Sequence, residues 1–225
     1  MTAQFPADTE GEGNVVLEPE VQADGTLQWE LTASVIQWET EPGKVVEAYA
    51  YNGMVPGPQL RAEVGDKIRI ILHNELAEPT TMHSHGLFVP PDMDGVPVIS
   101  QPAVMPGESF TYEYTLRNAG SHMYHSHFMA ERQVPMGLLG AFVVTDPSAD
   151  EPAADQDIAM ILNDGGILHD VTFADGTKIS AEGHSMATGE VVIPATGMTF
   201  ICSVPGHSDA GMTGEVMVGM ATGSG

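Results

Sequence analysis

Only one of the 225 residues is a cysteine, Cys202, so no intrachain disulfide can form and disulfide usage says nothing about redox compartment. Basic residues are scarce too: 7 Lys and Arg face 31 Asp and Glu, a formal charge of −24. A surface this acidic repels phosphate backbones and anionic membranes, which excludes nucleic acid as a partner. No apolar run reaches 18 residues, so no segment reads as a membrane span. The start, Met1-Thr2-Ala3-Gln4-Phe5-Pro6, has neither a basic nor an apolar leader region, and we expect either residence inside the cell or a leader already removed. Aromatics are only 6%, and no helical period of apolar residues persists beyond two turns.

What the chain does have is 42% hydrophobic residues, 25 Gly and 16 Pro, the composition of many short strands joined by turns. Alternation begins at Leu27-Trp29-Leu31. It recurs in Val45–Tyr51 before an Asn52-Gly53 turn, then in Lys67–Leu72, Phe110–Leu116 and Leu138–Val144. This pattern predicts an all-β chain, a Greek-key β-sandwich in two units. We expect an acidic mobile tail over 1–25, whose one apolar patch, Val15-Val16-Leu17, suits a single added strand, then a first unit over 26–146 and a linker over 147–157. A short second unit follows over 158–220, with a small-residue tail over 221–225. A complete sandwich of this kind takes about 100 residues. The second unit must therefore complete its sheet with edges from elsewhere, since an exposed half-sandwich invites aggregation.

Two constellations carry chemistry. Cys202, His207 and Met212 stand at five-residue intervals after a predicted strand, with His169 upstream. Two imidazoles, a thiolate and a weak thioether make a blue-copper electron-transfer site: soft sulfur holds Cu(I) and the imidazoles accept Cu(II). The second constellation is a pair of triplets, His83-Ser84-His85 and His125-Ser126-His127. In a strand, residues i and i+2 share a face, so each triplet can aim two rings at one point. Four imidazoles without a carboxylate suit copper or zinc and not calcium or magnesium.

The segments Tyr51-Asn52-Gly53-Met54-Val55-Pro56-Gly57-Pro58, Met82-His83-Ser84-His85-Gly86, Met93-Asp94-Gly95-Val96-Pro97 and Met123-Tyr124-His125-Ser126-His127 resemble the first cupredoxin domain of the laccase-like multicopper oxidases. The resemblance runs from about Leu27 to Asp164, and the part from Gly166 resembles the copper-binding half of a small cupredoxin. It implies a type 1 copper that takes single electrons from a phenol or metal ion and feeds a copper cluster that reduces O2. By motif match His83 would be a type 2 ligand and His85, His125 and His127 type 3 ligands. Asp94 would be the acidic residue that delivers protons; as residues alone, Asp94-Gly95 also reads as a turn. The family favours a periplasmic or extracellular location and, among its small members, trimers.

The departures shape the functional expectations. The family's cluster uses eight histidines, and this chain supplies four of that kind. Cys202 is flanked by Ile201 and Ser203, where the oxidases place cluster ligands. Ser126 excludes a type 1 site in the first unit. His73 reads as structural and His122 as facing away from the triplet, while His184 on a loop could complete a site in another chain. The leading expectation is a copper oxidase completed by subunit association. Its alternatives are an electron-transfer cupredoxin whose second site is vestigial or mononuclear, and an enzyme resembling the copper nitrite reductases.

Overall fold

A computed structural model of the chain describes residues 13–41, 44–149, 169–181, 191, 193–194, 196–205, 208 and 213–216. The chain divides into two compact units, Met1–Ile161 and Leu162–Gly225.

The first unit is two sheets packed face to face. In the first sheet, β2 (Leu27–Glu41) pairs with the short β1 (Glu20–Val21), with β3 (Lys44–Tyr51) and, in parallel, with β5 (Lys67–Asn74); β5 in turn pairs with β7 (Ser109–Thr115). The second sheet runs β4 (Gly57–Glu63), β9 (Leu139–Thr145), β8 (Gly120–His125) and β6 (His83–His85).

Period-2 alternation decides which side chains are buried. In β5, Ile68, Ile70 and Leu72 point inward and are fully buried, while Arg69 and His73 face out. On the outer face, Glu113 of β7 takes Arg69 at 2.7 Å and Lys67 at 2.8 Å, and these cations hold its carboxyl below the usual range. The core joins Trp29, Leu31, Ile70 and Tyr112 of the first sheet to Leu60, Tyr124, Phe142 and Val144 of the second. Trp29 meets Phe142 edge-on at 6.0 Å, and Tyr51 tilts onto Tyr124 at 5.3 Å. Each such buried side chain contributes about 1.5–3 kcal/mol relative to exposure.

Part of the segment expected as a tail is docked on the first unit, as the added strand expected at its end. Its one apolar patch, Val15-Val16-Leu17, adds to the edge of β4: Leu17 N donates to Gln59 O and Gln59 N to Val15 O, both at 2.9 Å. The Trp29 indole then donates to Leu17 O at 2.8 Å. Pairing an open strand edge and satisfying a buried indole outweigh the segment's acidity.

The second unit holds one antiparallel sheet among its described residues, in the order β11 (Lys178–Ala181), β10 (His169–Phe173), β12 (Met198–Ile201) and β13 (Thr213–Val216). Val171, Phe173, Met198 and Cys202 are buried, and the rings of Phe173 and Phe200 meet at 5.8 Å. Gly214 lies opposite Phe200, where any Cβ would collide with the ring. β11 was not visible as alternation, since Lys-Ile-Ser-Ala carries a single large apolar side chain. Most of the linker expected over 147–157 lies outside the described residues, as does the start of the expected second unit. Val191 and Ile193 lie outside any strand.

Helix is confined, among the described residues, to α1 (Ala130–Gln133) and one 3-10 turn (Pro91–Met93). No helix there is long and apolar enough to cross a membrane.

Candidate metal centre

The two triplets meet through the β6–β8 ladder, which pairs His83 with His125, Ser84 with Tyr124 and His85 with Met123. Alternation sends the rings to the outer face and the intervening residues into the core, where Ser84, Tyr124 and Ser126 are buried. The His83 ring stands 5.4 Å from that of His85, 5.2 Å from His125 and 5.3 Å from His127. His85 and His125 are 5.4 Å apart by centroid, and His125 stacks on His127 at 6.1 Å. Ligand nitrogens of His83, His85 and His125 all lie within 4.8 Å of one another.

Backbone carbonyls set the tautomers. His83 Nδ1 donates to Asp94 O at 2.6 Å and His125 Nδ1 to Ser126 O at 2.8 Å, so both leave an Nε2 lone pair for a ligand. His85 Nδ1 lies 3.2 Å from His125 Nε2. Two nitrogens bound at 2.0–2.1 Å to one tetrahedral ion stand about 3.3 Å apart. The spacing thus accepts either a hydrogen bond between neutral rings or a shared cation.

Electrostatics favour the neutral, coordinating form. Burial, and then the neighbouring His83, His85 and His127, push the His125 pKa down to about 4 despite the Ser126 carbonyl. His85 is lowered by burial and by His83 and His127, with Asp94 opposing. A metal ion therefore competes with few protons at neutral pH. The three convergent imidazoles of His83, His85 and His125, two already fixed through Nδ1, fit copper and not a hard cation, while His127 joins them only by ring contact, 5.3 Å from His83 by centroid.

Asp94 is placed by the turn its sequence announces. It closes the 3-10 turn, and Gly95 follows at φ +78°. A Cβ on Gly95 would fall on the Met82 carbonyl, so only glycine lets the loop lie against β6. The Asp94 carbonyl thereby reaches His83, while its carboxylate stands 3.4 Å from His83 Nδ1 and is 37% exposed.

Sequence reasoning missed the tyrosines that pin β6 from across the core. Tyr112 OH accepts from Met82 N at 2.9 Å, and Tyr114 OH pairs with Ser84 Oγ at 2.6 Å. The signal was present: two inward residues of β7 carry hydroxyls, and a buried hydroxyl needs a partner. His122 is buried with its ring against Gly86 and Gly120, facing away from the triplets as expected, and burial lowers its pKa. His73 bonds Ser109 Oγ at 2.8 Å on the outer face of the other sheet.

Of the expected type 1 ligands, His207 and Met212 lie outside the described residues, as does His184. His169 opens β10, its side chain outside the description. Cys202 is buried, and its Sγ accepts from Asp170 N at 3.5 Å, which puts the sulfur beside the strand that His169 begins. Asp170 anchors this corner. Its carboxylate accepts from Ser203 N at 2.7 Å, from Ser203 Oγ at 2.8 Å and from Thr172 Oγ1 at 2.9 Å, and pairs with Lys178 at 2.7 Å. Burial opposes ionisation, but Lys178 and Ser203 overcome it and hold the carboxyl well below the usual range.

Comparison with known proteins gives the family. The family described as Multicopper oxidase matches residues 32–149, more than half of the chain, and the chain belongs to that family. Copper resistance protein A of Pseudomonas syringae pv. tomato is 34% identical over 122 residues, which are 54% of this chain and 20% of that protein. The iron transport multicopper oxidase FET3 of Gibberella zeae is 40% identical over 119 residues, 50% of this chain and 18% of its own length. This chain thus spans about a fifth of the curated relatives it matches. A crystal structure of a multicopper oxidase superposes with a TM-score of 0.75 at 24% identity, covering 89% of this chain and 92% of that one; it shows a shared fold.

Proposed function

We propose that the chain is a copper-dependent oxidoreductase taking single electrons from a phenol or metal ion and reducing O2 to water with four electrons and four protons. His169, Cys202, His207 and Met212 hold the copper that accepts electrons, and His83, His85, His125 and His127 hold the copper at which O2 is reduced. The observation that carries this reading is the convergence of three ligand nitrogens within 4.8 Å on the outer face of the β6–β8 ladder.

Bound copper supplies one-electron redox chemistry at nitrogen and sulfur ligands. The protein's own groups do the rest. The Asp94 and Ser126 carbonyls orient the His83 and His125 rings, and burial keeps His125 unprotonated and ready to coordinate. The Asp94 carboxylate, 37% exposed and 3.4 Å from His83 Nδ1, stands where it would relay protons between water and the centre. His85 stays exposed at the edge of the ring cluster, which suits completion of the centre by a second copy of the chain, in a trimer.

The test is O2 uptake with a phenolic donor, set beside His125→Ala. A variant that loses uptake but stays blue supports the oxidase. A wild type that never consumes O2 and carries one copper per chain is an electron carrier instead.

A further inference from the structure

We propose that Gln133 is a positioning residue of the histidine centre: its buried amide locks the two His-Ser-His segments to each other. The inference rests on reading those histidines as copper ligands.

The β6–β8 ladder is a weak anchor on its own, because β6 has only three residues. β8 moreover ends at His125, so the sheet does not set the orientation of His127. A second fixed point comes from α1. Gln133 is fully buried, and both hydroxyls next to its oxygen donate to it: Ser126 Oγ at 2.6 Å and Thr80 Oγ1 at 2.8 Å. Its nitrogen donates to Glu78 Oε1 and Pro79 O, each at 2.9 Å. A carboxylate and a carbonyl can only accept, which fixes which way the amide points. All four of its hydrogen-bonding positions are filled.

The partners lie in the two segments that carry the metal ligands. Thr80 stands three residues before His83, and Ser126 stands between His125 and His127. Thr80 Oγ1 also lies 3.2 Å from Ser126 Oγ, so the two segments touch directly at the amide. Ser126 N donates to Leu138 O at 3.1 Å and its Oγ accepts from Phe128 N at 3.2 Å, which turns the chain just past His127. Outside, Arg132 clasps Glu78 at 2.7 Å and Tyr49 OH at 3.0 Å, holding the Glu78 end of the junction in place. A fully satisfied buried network is rigid, and rigid outer partners raise metal affinity by limiting the geometries their ligands can take.

Two variants of the full chain test this, each depleted of copper and titrated with Cu(II) against a competing chelator. Gln133→Met keeps the length of the side chain and removes all four bonds; Ser126→Ala removes one partner and perturbs packing little. Both should lose Cu(II) affinity at the histidines, Gln133→Met by about 10–100-fold and Ser126→Ala by less. The hyperfine splitting of the nitrogen-bound Cu(II) in electron paramagnetic resonance should shift, and the Cys202 visible band should not. If the amide only supports the fold, the metal-free variants melt lower while affinity and splitting match the wild type, and the proposal is overturned. A wild type that takes up no copper at the histidines overturns both this inference and the reading beneath it. That outcome is told apart by failing in the wild-type arm.

Discussion

His85 Nδ1 and His125 Nε2 stand 3.2 Å apart across 40 residues of sequence. The two atoms come from facing strands whose ladder pairs His83 with His125. Burial leaves His125 too weak a base to be charged at neutral pH, so the two nitrogens meet either as lone pairs or across one shared proton. The chain therefore holds nitrogens close together where protonation would repel them. That arrangement costs the metal-free protein at low pH and favours a soft cation when one is present.

The pH dependence of the metal-free chain follows with a definite sign. His125 falls from 6.5 to about 4 on folding, so below 6.5 the unfolded chain binds the proton that the folded chain refuses. Stability should drop as pH falls from about 6.5 to about 4, and His125→Gln should flatten that slope in melts across the range. Asp170 acts lower down: its carboxyl is held below the usual value, so its contribution is present above the ordinary carboxylate range and lost on acidification beneath it.

Gly95→Ala should damage fold and site together. The new Cβ meets the Met82 carbonyl at a backbone angle of φ +78°, and a strained residue of this kind costs about 1–3 kcal/mol. The loop must retreat and take the Asp94 carbonyl from His83. We expect a lower melting temperature and weaker retention of histidine-bound copper, with the Cys202 colour unchanged.

Tyr114→Phe should cost about 1–3 kcal/mol, because it leaves the buried Ser84 hydroxyl without its partner. Ser84→Ala in the same chain should recover part of that loss, since removing both partners leaves nothing unsatisfied. Denaturant titration of the two single variants and the double variant measures the coupling. Additive losses would show that the hydroxyls do not depend on each other.

Cys202→Ser should abolish blue absorption while copper bound by the first unit persists. A serine oxygen cannot supply the thiolate-to-copper charge transfer that gives the band. A variant that stays blue would remove Cys202 from the ligand set.

Much of the first unit was legible because period-2 patterning is strong where one face is buried, as in Ile68-Ile70-Leu72. The triplets announced their geometry for the same reason: residues two apart share a face. What escaped was set by partners distant in sequence. Gln133 looks like an ordinary polar residue after Arg132, and only the approach of Thr80 and Ser126 makes it a junction. Tyr112 and Tyr114 read as strand-formers until β6 arrives opposite their hydroxyls. Val15-Val16-Leu17 stood out as an apolar patch in an acidic segment and so as an added strand, but which edge it would pair with was set by β4, far away in sequence.

Copper counted per chain, in the wild type and in His125→Ala, tests the central claim most directly. The account predicts more than two coppers per chain in the assembled wild type, and a variant that loses the histidine-bound metal but keeps its blue colour. One copper per chain in both proteins would contradict it.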